Sequence, residues 1–124
     1  MPLLDRIRLG KSGEDAACRE LRRRGYEILA RGYRTRFGEL DIVARDGATV
    51  VFVEVKTRRT VAFGAPAEAV GAHKQHKIWL MASDYLQHRG WHDCPCRFDV
   101  VAISVDAQGR QRIELFKDAF DSVA

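Results

Sequence analysis

The chain has 124 residues, of which 46% are hydrophobic and 31% are charged, and its formal net charge is +4. This length predicts a single domain over residues 1–124, and the composition excludes wholesale disorder and collagen-like repeats. No apolar run approaches the ~20 residues that a membrane-spanning helix needs, so we expect no membrane association. The N-terminus around Asp5 and Arg6 is charged where a signal peptide needs its apolar stretch, which predicts a cytoplasmic protein.

The positive charge is concentrated near the N-terminus. Residues 1–36 carry ten Lys/Arg and five Asp/Glu, a surplus of +5, whereas residues 37–124 carry a net charge of −1. Such a local surplus favours an anionic partner such as nucleic acid. An odd number of cysteines argues for reduced thiols rather than a disulfide framework; these are Cys18, Cys94 and Cys96.

The first predicted element is a helix. It begins at Ser12, a good N-cap with Asp15 three residues later, and it ends at Gly25. The Asp46-Gly47 pair then predicts a hairpin between two antiparallel strands. Apolar alternation predicts three strands in this part of the chain, over residues 26–31, 39–44 and 49–56.

The second half continues with a loop, Thr57–Pro66, and a helix over Ala72–Gln87 that ends at Gly90. Helical spacing puts five apolar residues on one side of this helix, namely Ile78, Met81, Ala82, Tyr85 and Leu86. The strand Phe98–Val105 is continuously apolar, which predicts burial on both faces, and Gln111–Phe116 is a further alternating strand. The order α-β-β-β-α-β-β predicts an α/β domain in which helices pack on a mixed central sheet.

Charged residues interrupt the apolar hairpin. Glu54 and Lys56 project from one face of their strand, because side chains alternate along a strand. Glu39 and Asp41 are expected to share one face of the preceding strand, opposite the apolar set Leu40, Ile42 and Ala44.

The hairpin register can place Asp41 beside Glu54, and two carboxylates so close repel each other unless a cation lies between them. Mg²⁺ suits that position because it prefers carboxylate oxygens and completes its shell with water and phosphate. Lys56 would then lie beside a metal-bound water or a phosphate, as in a phosphodiesterase. An edge-strand ion pair between Glu54 and Lys56 explains the same residues, and the residues alone leave both interpretations open.

Longer segments resemble a known family. They are residues 37–44 (FGELDIVA), 51–58 (VFVEVKTR), 13–17 (GEDAA), 74–78 (KQHKI) and 97–101 (RFDVV). In this order they resemble the YraN-like family of bacterial proteins, which is grouped with the PD-(D/E)xK, restriction-endonuclease-like nucleases. The resemblance implies a three-layer α/β/α domain with a mixed central sheet.

The resemblance also implies roles for individual residues. Asp41 and Glu54 would hold Mg²⁺, with Mn²⁺ as a substitute, and Lys56 would be the lysine of the motif. Glu14 matches an additional acid of the Holliday-junction-resolvase branch, so it is expected to reach the metal. Glu39 is expected to assist from the same strand as Asp41.

The implied function is a metal-dependent endonuclease acting on DNA, including branched or structured DNA. Basic residues around the site are expected to contact DNA phosphates without reading sequence, so binding should weaken with salt. We assign this role to Lys74, Lys77, Arg34, Arg36 and Arg58. A homodimer is expected by analogy with resolvases, and Trp79 and Phe63 are candidate interface residues.

Two other classes of function remain open at this stage. One is a DNA-binding module that keeps the nuclease fold, cleaves nothing and recruits a partner. The other is a structural or interaction protein whose acidic pocket is incidental. A zinc site at His92, Cys94 and Cys96 is disfavoured, because the spacing is tight and a fourth ligand is not evident.

Overall fold

The structure, a computed structural model, describes residues 3–58 and 70–120, with side chains from Ser12 onward. Within these ranges, two helices and five strands form in the order α1-β1-β2-β3-α2-β4-β5. The helices are α1 (Leu3–Arg23) and α2 (Ala72–Arg89). The strands are β1 (Glu27–Thr35), β2 (Gly38–Asp46), β3 (Thr49–Arg58), β4 (Cys96–Val105) and β5 (Gln111–Phe116).

The strands form one sheet in the order β1-β2-β3-β4-β5. β1, β2 and β3 pair antiparallel, β3 and β4 pair in parallel, and β5 adds antiparallel to β4. The predicted hairpin is confirmed, with Asp46 opposite Thr49 and a left-handed Gly47 in the turn. The parallel pair needs a long crossover connection, and α2 lies within it.

The helices cover opposite faces of the sheet. On one face, Ala17 and Leu21 of α1 pack with Val51 of β3 and Val101 of β4. On the other face, α2 packs on Phe52 of β3 and Val100 of β4. The α2 residues in this cluster are those predicted from helical spacing, namely Ile78, Met81, Ala82, Tyr85 and Leu86. The mixed sheet and three-layer α/β/α arrangement expected of a restriction-endonuclease-like domain are therefore confirmed.

The predicted start of the first helix is wrong. α1 begins at Leu3, so Ser12 lies inside it, and Asp15 contacts Arg31 of β1 instead of completing a capping box. A serine is tolerated within a helix as well as at its start, so the capping pattern did not determine the boundary. α1 passes close to the end of β3. A Cβ added at Gly13 would lie only 2.3 Å from Thr57 Oγ1.

A buried polar network joins the start of β4 to the chain after β5. Asp99 is completely buried and accepts hydrogen bonds from Arg97, from the Tyr26 hydroxyl and from the backbone N–H of Asp118. Arg97 also donates to Asp46 at 3.0 Å. Both oxygens of the buried Asp99 carboxylate therefore accept hydrogen bonds, as a buried charge requires.

None of the helices in residues 3–58 and 70–120 is long and apolar enough to cross a bilayer. The predicted loop Thr57–Pro66 lies largely outside the described residues, since only Thr57 and Arg58 are described and both belong to β3.

Candidate active site

Asp41 lies where β2 and β3 separate. The paired register runs from Asp46–Thr49 to Ile42–Val53 and stops before Asp41. Beyond that point the Asp41 carboxylate accepts a hydrogen bond from the backbone N–H of Val55, at 2.9 Å. A side chain thus replaces the next strand–strand contact, and this fixes the carboxylate against β3.

The predicted apolar face of β2 is wrong at one residue. Ile42 and Ala44 pack on the α1 side, as expected for alternate residues, but Leu40 packs with Val43 in the cluster on the α2 side. The alternation is therefore interrupted around Asp41, which itself is partly buried, whereas Glu39 is exposed. Strict alternation fails here because β2 no longer follows β3 beyond Ile42.

Glu54 is buried beside Asp41. Its side chain is only 9% exposed, and its carboxyl group lies within hydrogen-bonding reach of the Asp41 carboxyl group. Burial, and then the charge of Asp41, raise the pKa of Glu54 to about 7. Burial also raises the pKa of Asp41, against the opposing effect of the Val55 hydrogen bond. The pair therefore binds a proton unusually tightly for carboxyl groups.

Two lysines from different elements approach the same oxygen of Glu54. Lys56 Nζ lies 3.9 Å from Glu54 Oε1, and Lys74 Nζ lies 3.6 Å from it. Lys56 lies on β3, two residues after Glu54, whereas Lys74 lies in the first turn of α2, which contains no acidic residue. The site thus combines two carboxyl groups with two ammonium groups at one end of the sheet.

The donor set suits a hard divalent cation. Asp41 and Glu54 present carboxylate oxygens side by side and share a proton that a cation would displace. Mg²⁺ is commonly bound through one or two carboxylates, with water and substrate phosphate at its other positions. Within the described residues, no group of three or more His, Cys, Asp or Glu side chains is arranged to hold a metal ion. Two carboxylates are nevertheless sufficient for a Mg²⁺ site of this kind.

Glu14, the predicted third acid, is held by β1. Its Oε1 accepts from Arg31 Nε at 3.0 Å, and the same guanidinium contacts Asp15. Glu14 follows Gly13, whose contact with Thr57 brings this part of α1 against β3 just beyond Lys56. Its role as a metal ligand stays a prediction, and Arg31 is a contact that the sequence patterns did not indicate.

Glu39 lies at the surface of the β1–β2 hairpin. It is opposite Arg34 in the strand register and forms an ion pair with it at 3.5 Å. A Cβ on Gly32 would lie 3.2 Å from Glu39 Oε1, so the glycine leaves space for this carboxylate. Glu39 therefore interacts with the hairpin rather than with the buried acidic pair.

The predicted phosphate-binding residues occupy separate elements. Arg34 and Arg36 belong to the β1–β2 hairpin, where the Arg36 guanidinium covers the Phe37 ring at 4.8 Å. Arg58 ends β3, two residues beyond Lys56. Lys74 and Lys77 lie on the exposed side of α2. Of these five residues, Lys74 is the one whose contact with Glu54 joins it to the acidic pair.

The segment before β4 carries the disfavoured zinc residues. Cys94 and Cys96 are free thiols, and His92 contacts Asp93 at 3.8 Å. His73 and His76 are exposed on α2, and His76 stacks on Trp79 with ring centroids 6.4 Å apart.

Comparison with known proteins supports the resemblance noted from the motifs. A family model described as "Uncharacterised protein family UPF0102" matches residues 13–103. A UPF0102 protein of Syntrophus aciditrophicus is 51% identical over 93% of this chain and 90% of its own length. A UPF0102 protein of Symbiobacterium thermophilum is 49% identical over 91% of this chain and 96% of its own length.

Among solved structures, the chain is similar to Pyrococcus furiosus SfsA in complex with Ca²⁺. The TM-score is 0.42 and the sequence identity 13%, over 88% of this chain and 62% of that chain.

Proposed function

This chain belongs to the uncharacterised protein family UPF0102, and on that premise we propose that it is a metal-dependent endonuclease that hydrolyses DNA phosphodiester bonds. The observation that carries the proposal is the buried Asp41–Glu54 pair with two lysines at one Glu54 oxygen. Buried like charges destabilise a fold, and such an arrangement is typical of a functional site.

The proposed chemistry assigns a task to each residue. Asp41 and Glu54 would hold Mg²⁺, with Mn²⁺ as a substitute, and the ion would activate water and polarise the phosphoryl oxygen. The Val55 N–H fixes the Asp41 carboxylate, so this ligand is oriented before the ion binds. Lys56 would orient the attacking water or stabilise charge developing on the phosphate.

Substrate binding would rely on the phosphate backbone. The exposed guanidinium groups of Arg34 and Arg36 and the ammonium group of Lys77 supply positive charge on elements that flank the acidic pair. Such contacts do not read sequence, which fits an enzyme that recognises DNA shape, including branched DNA. Glu14 and Glu39 are proposed to assist, and a homodimer would provide one site for each of two strands.

A cleavage assay tests the proposal. Purified protein is incubated with duplex, single-stranded and four-way-junction DNA in Mg²⁺, Mn²⁺ or EDTA, beside Asp41→Asn, Glu54→Gln and Lys56→Met. We expect metal-dependent products from the wild type and a loss of at least ~100-fold in each variant. Asp93→Asn is the matched control, because its carboxylate is 98% exposed and has no proposed role at the site, and it should keep wild-type activity.

Products that persist in all three variants would come from a contaminant and would contradict the assignment. Salt-sensitive DNA binding without products, even in Mn²⁺, would identify a DNA-binding module that keeps the nuclease fold. A protein that neither binds nor cleaves DNA would instead have a structural or interaction role.

A further inference from the structure

Lys74 differs from the other predicted phosphate-binding residues in that its ammonium group forms an ion pair with Glu54. Among the described residues, only Lys56 and Lys74 form ion pairs with Glu54. Lys74 is also the first charged group that lowers the pKa of both Asp41 and Glu54, ahead of Lys56. Lys74 is thus a counter-charge of the acidic pair, beside Lys56.

The position of Lys74 allows its ammonium group to move away from Glu54. Its side chain is 45% exposed and extends from the first turn of α2, whereas Lys56 is 33% exposed and fixed to the same strand as Glu54. The contact at 3.6 Å is longer than a charge-assisted hydrogen bond, so no tight geometry holds the ammonium group. A divalent cation at Glu54 Oε1 would repel Lys74 by Coulomb's law and remove its counter-charge.

We propose that Lys74 is a metal-responsive phosphate contact: Glu54 holds it in the absence of a divalent cation, and a bound cation releases it to a DNA phosphate beside the site. The inference rests on the proposed function for the identity of the cation and the substrate. It adds that DNA affinity is coupled to metal loading through one side chain. Lys77, one turn further along α2, makes no such ion pair with Glu54 and should contact phosphate whether or not metal is present.

Equilibrium binding of four-way-junction DNA tests this without turnover. Fluorescence anisotropy at one fixed ionic strength compares the wild type, Lys74→Met and Lys77→Met, each in EDTA and in Ca²⁺, which takes the same kind of oxygen ligands. We expect Lys74→Met to weaken binding about tenfold in Ca²⁺ and less than about twofold in EDTA, as for loss of one charged phosphate contact. Lys77→Met should weaken binding by the same factor in both conditions.

A second part of the binding experiment tests the release of Lys74 without any metal. Glu54→Gln eliminates the charge that holds Lys74, so adding Lys74→Met to Glu54→Gln should weaken binding about tenfold even in EDTA. Circular dichroism of each variant establishes that it is folded.

The outcomes separate this inference from the proposed function. Equal effects of Lys74→Met and Lys77→Met in all conditions, with wild-type cleavage intact, would overturn only the metal-responsive contact. The expected pattern without any cleavage would support the contact and contradict the nuclease. A wild-type protein that binds no DNA would overturn both.

Discussion

The Asp41 carboxylate accepts a hydrogen bond from the backbone N–H of Val55, at 2.9 Å, at the point where β2 stops pairing with β3. This contact puts an acidic side chain where a neighbouring strand would otherwise supply a carbonyl. It also brings the Asp41 carboxyl group within hydrogen-bonding reach of Glu54. The separation of two strands thus creates the acidic pair on which the proposed chemistry depends.

The acidic pair should make stability depend on pH. The folded-state pKa of Glu54 is about 7, above its ordinary value of 4.5, so the folded protein holds a proton that the unfolded chain releases. Stability contributed by this group is complete below pH 4.5 and is lost as the pH rises through 7. In EDTA, Glu54→Gln should therefore be more stable than the wild type at pH 8 by on the order of 2 kcal/mol, and similar to it at pH 4.

Urea denaturation at both pH values measures this difference. Glu39→Gln is the control, because its exposed carboxylate should give the same small difference from wild type at either pH. Equal stability of Glu54→Gln and wild type at pH 8 would show that the buried carboxyl carries no such penalty.

A divalent cation should stabilise the folded protein through the same pair. At a Mg²⁺ or Mn²⁺ concentration about 100 times the dissociation constant, mass action adds about 2.7 kcal/mol, or a rise of several degrees in Tm. Differential scanning fluorimetry should show this rise for the wild type and for Lys56→Met, but not for Asp41→Asn or Glu54→Gln. A rise retained in both carboxylate variants would place the metal elsewhere.

The close approach of α1 to β3 should be sensitive to a single methyl group. A Cβ on Gly13 would lie 2.3 Å from Thr57 Oγ1, so Gly13→Ala should destabilise the protein by about 1–3 kcal/mol through overpacking. Adding Thr57→Ala removes the clashing hydroxyl and should restore part of the loss. Gly71→Ala is the control, since nothing lies within 4 Å of the added Cβ. Thermal unfolding of the four proteins distinguishes a local clash from a general intolerance of alanine.

The buried network at β4 should contribute to stability and not to catalysis. Asp99→Asn removes the buried charge that pairs with Arg97, which is then paired with Asp46, so we expect a loss of about 3 kcal/mol in the free energy of unfolding. Tyr26→Phe removes one hydrogen bond to Asp99 and should cost about 1 kcal/mol. Asp93→Asn, whose side chain is 98% exposed, should change stability by less than ~0.5 kcal/mol.

The metal-induced rise in Tm should survive in Asp99→Asn. Asp99 lies under Tyr26 on the α1 side of the sheet, whereas Lys74 reaches Glu54 from α2 on the other side. Loss of the metal effect in Asp99→Asn would mean that the two sites are coupled through the sheet.

Local sequence patterns predicted the order of elements and singled out Asp41, Glu54 and Lys56 as candidate site residues. Alternation, the Asp-Gly turn and helical spacing are short-range properties, so they predicted the central strands, the hairpin and the buried face of α2. They did not predict the start of α1, because a serine fits both a cap and a helix interior.

The tertiary structure alone decided which charged residues meet. The sequence placed Glu54 and Lys56 together, since they are two residues apart on one strand, but Lys74 reaches the same oxygen only because the crossover returns α2 to the end of β3. Arg31 and Glu14 are likewise 17 residues apart and meet because α1 packs against β1. The register break at Asp41 also depends on where two strands diverge. Periodicity describes one element at a time, whereas burial and the pKa of Glu54 arise from several elements packed together.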